Sequence, residues 1–294
     1  YFSFAASVGN SISLRSSDLI DYYDKDENTD VILSYMEGFS QFRKSELEGR
    51  IFFESLKNVN KPLLLLKGGV SELGKRAASS HTGSLASQDA IWNSIYKQTN
   101  AIPILTYEEL IDTAVLFRYC LDCEPKHNSI LMITWSGGSS VLGVDSIARL
   151  NAGIDIPAIQ EPTNSKMKEL IRVGSIANPL DLPDMRDDDI RFELFKLAVS
   201  EEYMSGVIRL STGPRWRGQV PDKESTKKFY ADLVRYKELC ETLKKPYMIA
   251  VPSSDRNFRK KLVELDIPAF SSFSRAAKAF SNLYHYKNSI STTR

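Results

Sequence analysis

Pro62-Leu63-Leu64-Leu65-Leu66-Lys67 leads toward Ser79-Ser80-His81-Thr82-Gly83-Ser84-Leu85, and a helix-like segment follows from Leu85 to Gln98. An apolar run without alternation is the pattern of a strand covered on both faces, as in a parallel sheet. The reading puts His81 on a small-residue turn at the start of a helix. Backbone N–H groups there have no intrahelical acceptor, and the helix dipole favours negative charge. An imidazole is largely neutral and nucleophilic near neutral pH, so in that setting it is suited to carry a phosphoryl group.

Working outward, the same alternation repeats. Val31 to Met36 reads as a strand, Arg50 to Asn58 as a helix, Ile102 to Leu105 as a strand and Tyr107 to Cys120 as a helix. Glu124-Pro125-Lys126-His127-Asn128 is a polar break with the character of a linker. The pattern then restarts with a strand from Ser129 to Trp135, the turn Gly137-Gly138-Ser139-Ser140, and a helix from Val141 to Leu150. Further strands are predicted at Pro157–Ile159, Ser205–Leu210, Pro246–Val251 and Pro268–Phe270. Helices are predicted at Lys166–Val173, Ile190–Ser200, Lys223–Leu243, Phe258–Leu265 and Ser274–Tyr286. Repeated strand–helix units imply two tandem, doubly wound α/β domains with mainly parallel sheets, over residues 1–123 and 128–294.

Composition narrows the classes. Among 294 residues, 38 basic and 37 acidic side chains leave a net charge of +1, which argues against a general binder of nucleic acid or membrane surfaces. No apolar run reaches the length of a membrane span. The first residue is Tyr1 and nothing near it resembles a signal peptide, so the start reads as cut or as part of a larger product. Three cysteines make no disulfide framework, and a reducing cytoplasm fits. Cys120 and Cys123 have C-x-x-C spacing, but no second pair completes a zinc set and no metal site is expected. The polar stretch Gln41–Gly49 and the basic loop Pro214-Arg215-Trp216-Arg217-Gly218 read as solvated surface.

Three elements could form one site. His81 with Thr82, Gly83 and Ser84 is the first, and Gly137-Gly138-Ser139-Ser140 is the second. Both would lie at the carboxyl ends of parallel strands, where open α/β sheets bind ligands. Glu37, just past the strand Val31–Met36, is the third. Its carboxylate could accept a hydrogen bond from one imidazole nitrogen and leave the other to attack phosphorus. Taken singly these signals leave plainer readings open. A lone histidine is more often structural than catalytic, and a Gly-Gly-Ser-Ser turn is often only an N-cap. His127 lies in the linker, and His285 sits among aromatics in the final helix.

The segment Glu72-Leu-Gly-Lys-Arg-Ala-Ala-Ser-Ser-His81-Thr-Gly-Ser-Leu-Ala86 resembles the phosphohistidine segment of the NDP-forming acyl-CoA synthetases, relatives of succinyl-CoA synthetase. Ala6-Ser-Val-Gly-Asn10, Tyr35-Met-Glu37-Gly38, Ser136-Gly-Gly-Ser-Ser140, Ala177-Asn-Pro-Leu-Asp181 and Ile267-Pro-Ala-Phe-Ser-Ser-Phe-Ser-Arg-Ala-Ala277 resemble further family segments, in the family's order. The resemblance implies flavodoxin-like domains: a phosphohistidine domain over 1–123, lacking its first strand and helix, and a CoA-ligase-like domain over 128–294. It implies a ligase that joins a small carboxylic acid to CoA using ATP, through acyl phosphate and phosphohistidine. It makes His81 the nucleophile and Glu37 its orienter. The backbone of Thr82, Gly83 and Ser84, with Gly137, Gly138, Ser139 and Ser140, becomes the phosphate cradle. ATP or ADP with Mg2+, and CoA, are expected to bind largely on a CoA-binding Rossmann domain and an ATP-grasp domain of the same precursor or another chain. Exposed sheet edges left by a missing strand–helix unit disfavour a lone monomer. The alternatives are a non-catalytic acyl-CoA-responsive or scaffolding module related to these synthetases, and a plain binding protein for a small anion.

Overall fold

The computed structural model describes residues 2–9, 11, 13–39, 47–82, 89–171, 176–181, 188–214, 221–252 and 255–293, with only the backbone at 78–82, 89 and 291–293. The chain divides into two compact units, Tyr1–Ala114 with Ser289–Arg294, and Val115–Asn288.

The first unit contains α1 (Ser16–Lys25), β1 (Ile32–Met36), α2 (Glu48–Asn58), β2 (Leu63–Lys67), α3 (Glu72–Thr82), α4 (Asp89–Gln98), β3 (Ala101–Ile104) and the start of α5 (Tyr107–Cys120). Its strands are parallel in the order β1-β2-β3. Leu63, Leu64 and Leu65 of the central strand are completely buried, as their unbroken apolar run predicts. Ile32, Met36, Phe52, Leu56, Trp92 and Ala101 pack with Leu63 and Leu65 in one core. The helix α1 lies outside the elements expected from sequence. Its buried residues are only Ser17 and Ile20, too narrow an apolar stripe to stand out. It is tied down instead by Asp24, whose carboxylate accepts hydrogen bonds from the backbone N–H groups of Asn60 (2.9 Å) and Lys61 (3.0 Å).

The second unit contains β4 (Ile130–Thr134), α6 (Gly137–Ala148), α7 (Thr163–Leu170), β5 (Leu180–Asp181), α8 (Asp188–Ser200), β6 (Gly206–Leu210), α9 (Lys223–Thr242), β7 (Tyr247–Ala250), α10 (Arg256–Glu264), β8 (Ala269–Phe270) and α11 (Phe273–Thr293). The sheet is parallel throughout, in the order β5-β4-β6-β7-β8. Numbered from the first strand of the unit this is 2-1-3-4-5, the flavodoxin-like order, whose topological switch point lies between β4 and β6. The turn at Gly137 therefore follows a switch-point strand.

Two expectations are corrected. Pro157–Ile159 is not a strand: the isolated bridge of this region lies before it, Ser129 to Asp155, and β5 takes the outer place beside β4. The side chain of Asn178 occupies the edge of β4 in its stead. Its Oδ1 accepts from Met132 N–H (2.9 Å), and its Nδ2 donates to Ile130 O (2.8 Å) and Pro157 O (3.0 Å). Nor does the division fall at Glu124–Asn128. That segment is held inside the second unit by Glu124 N–H to Lys244 O (2.8 Å) and His127 N–H to Ser205 Oγ (2.9 Å), and α5 carries the chain across the boundary. Cys120, Cys123 and Cys240 are free, buried thiols. A hydrogen bond to Cys123 and burial push the Cys120 thiol well above its ordinary value, the setting of an inert structural cysteine. Among the described residues, no group of three or more His, Cys, Asp or Glu could hold a metal ion.

Candidate functional site

In the first unit Glu37 stands at the carboxyl end of β1, and Lys67 ends β2 beside it. Glu37 follows β1 directly and is half-buried. Its Oε1 accepts a hydrogen bond from the Tyr35 hydroxyl (2.8 Å). Its Oε2 is buried and has no hydrogen-bond partner among the described residues. A buried carboxylate oxygen without a donor is costly, so this atom marks a place where an N–H or O–H is expected. The Tyr35 phenol is pushed above its ordinary value by its hydrogen bond to Glu37, then by burial and by the Glu37 charge.

Lys67, the charge that closes the β2 run, is buried with only 7% of its surface exposed. Its ammonium donates to Glu37 O (2.6 Å) and to Gly68 O, and sits 5.4 Å from the centroid of the Trp92 ring on α4. Gly68 N–H donates to Met36 O (2.9 Å), so the ladder between the two strands continues one step further. Gly68 leaves room for both side chains: a Cβ there would lie 2.8 Å from the Tyr35 hydroxyl and 3.3 Å from Glu37 Cγ, so a larger residue would push the Tyr35 hydroxyl aside.

His81 and Thr82 form the end of α3, which corrects the sequence reading of a turn opening a helix. The physical reason is local. Ser71 Oγ accepts from Gly74 N–H (3.0 Å) and caps the helix start, Lys75 pairs with Glu72 (2.9 Å), and Ala77-Ala78 are strong helix formers. The helix therefore runs through Ser79 and Ser80 instead of stopping before them. The backbone dipole of α3 is partially negative at His81, so the carboxyl end of α3 itself offers no anion cradle. Gly83 and Ser84 lie outside the described residues.

In the second unit, Gly137, Gly138, Ser139 and Ser140 form the first turn of α6, as the N-cap reading of that turn requires. Ser136 is the cap. Its Oγ accepts from Ser139 N–H (3.2 Å), and its carbonyl accepts from Ser140 N–H (3.0 Å). The Ser140 hydroxyl pairs with Thr134 Oγ1 (2.6 Å). The Ser139 and Ser140 amides are thus occupied, and a phosphate at this helix end falls to the amides of Gly137 and Gly138.

Sequence reasoning assigned no role to Asp181, yet its carboxylate lies beside this turn, with Oδ2 3.5 Å from where a Gly137 Cβ would be. Its Oδ1 is buried without a partner among the described residues. Burial pushes the Asp181 carboxyl above its ordinary value. The Asn-Pro-x-Asp spacing was the available signal: Asn178 pins the edge of β4, and the next strand delivers Asp181 three residues later.

Comparison with known proteins identifies the family. Residues 1–117 match the family described as succinyl-CoA ligase like flavodoxin domain. The chain is 31% identical over 289 residues to the acetate–CoA ligase [ADP-forming] I subunit alpha of Pyrococcus furiosus, covering 95% of this chain and 57% of that subunit. It is 36% identical over 186 residues to the acetate–CoA ligase [ADP-forming] of Methanocaldococcus jannaschii, covering 62% of this chain and 24% of that one. The chain is related to the ADP-forming acyl-CoA synthetases. The solved dinucleotide forming acetyl-coenzyme A synthetase 1 of Ca. Korarchaeum cryptofilum, in complex with phosphate and ADP, superposes with a TM-score of 0.77 at 28% identity. That match covers 98% of this chain and 60% of the synthetase. The chain therefore spans at most about three-fifths of the length of these relatives. Among the described residues, no helix is long and apolar enough to cross a membrane.

Proposed function

We propose that this chain supplies the phosphohistidine part (first unit) and the CoA-ligase-like part (second unit) of an ADP-forming acyl-CoA synthetase. The reaction links a small carboxylic acid to CoA at the expense of ATP. In the ligase direction an imidazole nitrogen of His81 attacks the terminal phosphorus of ATP. The P–N bond forms and the bond to the ADP oxygen breaks. A carboxylate oxygen of the acid then takes the phosphoryl group, giving acyl phosphate and free imidazole. The CoA thiolate attacks the acyl carbon and releases phosphate.

The observation that carries this reading is the buried, unpartnered Oε2 of Glu37. It offers an acceptor for one imidazole N–H of His81, which fixes the tautomer and leaves the second nitrogen free as the nucleophile. The Gly137 and Gly138 amides at the start of α6 suit a phosphate in the second unit. ATP or ADP with Mg2+, and CoA, are assigned to a CoA-binding Rossmann domain and an ATP-grasp domain on the same precursor or another chain. Three free thiols suit a reducing, cytoplasmic setting.

The test is transfer of label from γ-labelled ATP, with Mg2+, to the complete enzyme. The expected product is an acid-labile, alkali-stable phosphoryl group that disappears in His81→Ala. Label retained in that variant would sink the proposal.

A further inference from the structure

We infer that Lys67 and Tyr35 are positioning residues that preset the Glu37 carboxylate, Lys67 through the backbone and Tyr35 through the side chain. The inference rests on the proposed phosphohistidine chemistry and specifies how its site is built.

The geometry restrains Glu37 from four sides. Gly68 N–H holds the carbonyl of Met36 before it (2.9 Å). The Lys67 ammonium holds the carbonyl of Glu37 itself (2.6 Å) and, through Gly68 O, ties that carbonyl to the end of β2. The absent Cβ of Gly68 makes the slot in which Tyr35 Oη and Glu37 Cγ lie. The Tyr35 hydroxyl then occupies Oε1 (2.8 Å). Only Oε2 is left for a further donor.

The choice of residue types fits a positioning role. A lysine needs no second buried residue to reach two carbonyls at adjacent strand ends, because its ammonium is a compact cation with three donors. Burying it is expensive unless those donors are used. The Trp92 ring, 5.4 Å from the ammonium, adds a cation–π contact and links the start of α4 to the same point. Tyr35 is 61% exposed, so its ring contributes little to the core. Its hydroxyl is the informative part, because it decides which carboxylate oxygen stays open.

The experiment measures single-turnover labelling of the complete enzyme by γ-labelled ATP. Tyr35→Phe removes one hydrogen bond to a charged group and should slow labelling about tenfold. Lys67→Met should slow it about a hundredfold, the usual scale for misplacing a reacting group by an ångström. Lys67→Arg should recover part of that loss. In both deficient variants KM for ATP should stay within about twofold, because ground-state binding is untouched. In the Glu37→Gln background neither substitution should slow labelling further, since both act through that carboxylate; a merely structural role would add its own loss.

If Glu37→Gln is deficient while Tyr35→Phe and Lys67→Met label at the wild-type rate, the positioning inference is overturned and the phosphohistidine reading stands. If Glu37→Gln and His81→Ala both label normally, the reading itself falls. Should Lys67→Met fail to fold, Tyr35→Phe decides alone, because its change is confined to an exposed hydroxyl.

Discussion

Asn178 is where the second unit is most sensitive to a single atom. Its side-chain amide imitates a backbone amide in the sheet: Oδ1 takes the Met132 N–H, and Nδ2 serves the carbonyls of Ile130 and Pro157. Ile130 and Met132 are both completely buried, so water cannot replace these bonds without opening the sheet. Asn178→Ala leaves two fully buried groups unmet, the Met132 N–H and the Ile130 carbonyl, and removes the donor to the carbonyl of half-buried Pro157. At about 1.5 kcal/mol for each orphaned group, the expected loss is about 3 kcal/mol. Urea denaturation monitored by circular dichroism measures it. Hydrogen exchange at the Met132 amide should accelerate about a hundredfold, since roughly 1.4 kcal/mol corresponds to a factor of ten.

Asn178→Asp provides the sign. The aspartate keeps an acceptor for Met132 N–H but sets its second oxygen against two carbonyls. At neutral pH it should be less stable than Asn178→Ala. Its folded pKa is then raised, so stability returns as the pH falls and a protonated carboxyl donates to Ile130 O, and is lost again as the pH rises through the folded value. If Asn178→Ala stays within about 0.5 kcal/mol of the wild type, the claim that this side chain stands in for a strand is wrong.

Two further perturbations probe packing and charge. Gly206→Ala would place a Cβ 2.5 Å from Phe280 Cε2, a ring with no exposed surface, so overpacking should cost about 2 kcal/mol; an unchanged melting curve would contradict the close approach. Burial raises the Asp24 carboxyl, but hydrogen bonds from Lys61 N–H and from the side chain and backbone of Asn60, with the Lys61 charge, outweigh it and hold it below the ordinary value. Its contribution is therefore present above the unfolded carboxylate pKa of about 4 and lost as the pH falls through the lower folded value. Asp24→Ala should cost about 1 kcal/mol at neutral pH and flatten that acid loss. An acid-unfolding profile that keeps the wild-type slope would exclude the assignment.

What the chain alone determined is its set of buried strands and their parallel arrangement. Leu63–Leu65, Ile130–Met132, Val207–Ile208 and Met248–Ile249 are apolar at every successive position, and only a sheet covered on both faces accommodates such runs. The Gly137 turn was legible for the same local reason, since Ser136 caps the helix it opens. Whether the helix before His81 stops or continues was also decided locally, with Ser71, Lys75 and the alanines outweighing the small polar residues that follow. Tertiary structure decided the rest. The edge of β4 was filled by a side chain 46 residues away, not by the nearby run at Pro157. The charge of Lys67 and the hydroxyl of Tyr35 look in one dimension like the solvated ends of two strands. They converge on Glu37 only because parallel pairing sets Met36 beside Lys67, so that an ammonium from one strand meets the carbonyl of Glu37 beyond the other. Periodicity records which residues seek the interior; it carries no information about which polar atoms from distant segments will share that interior, because hydrogen-bond partners are fixed by three-dimensional proximity.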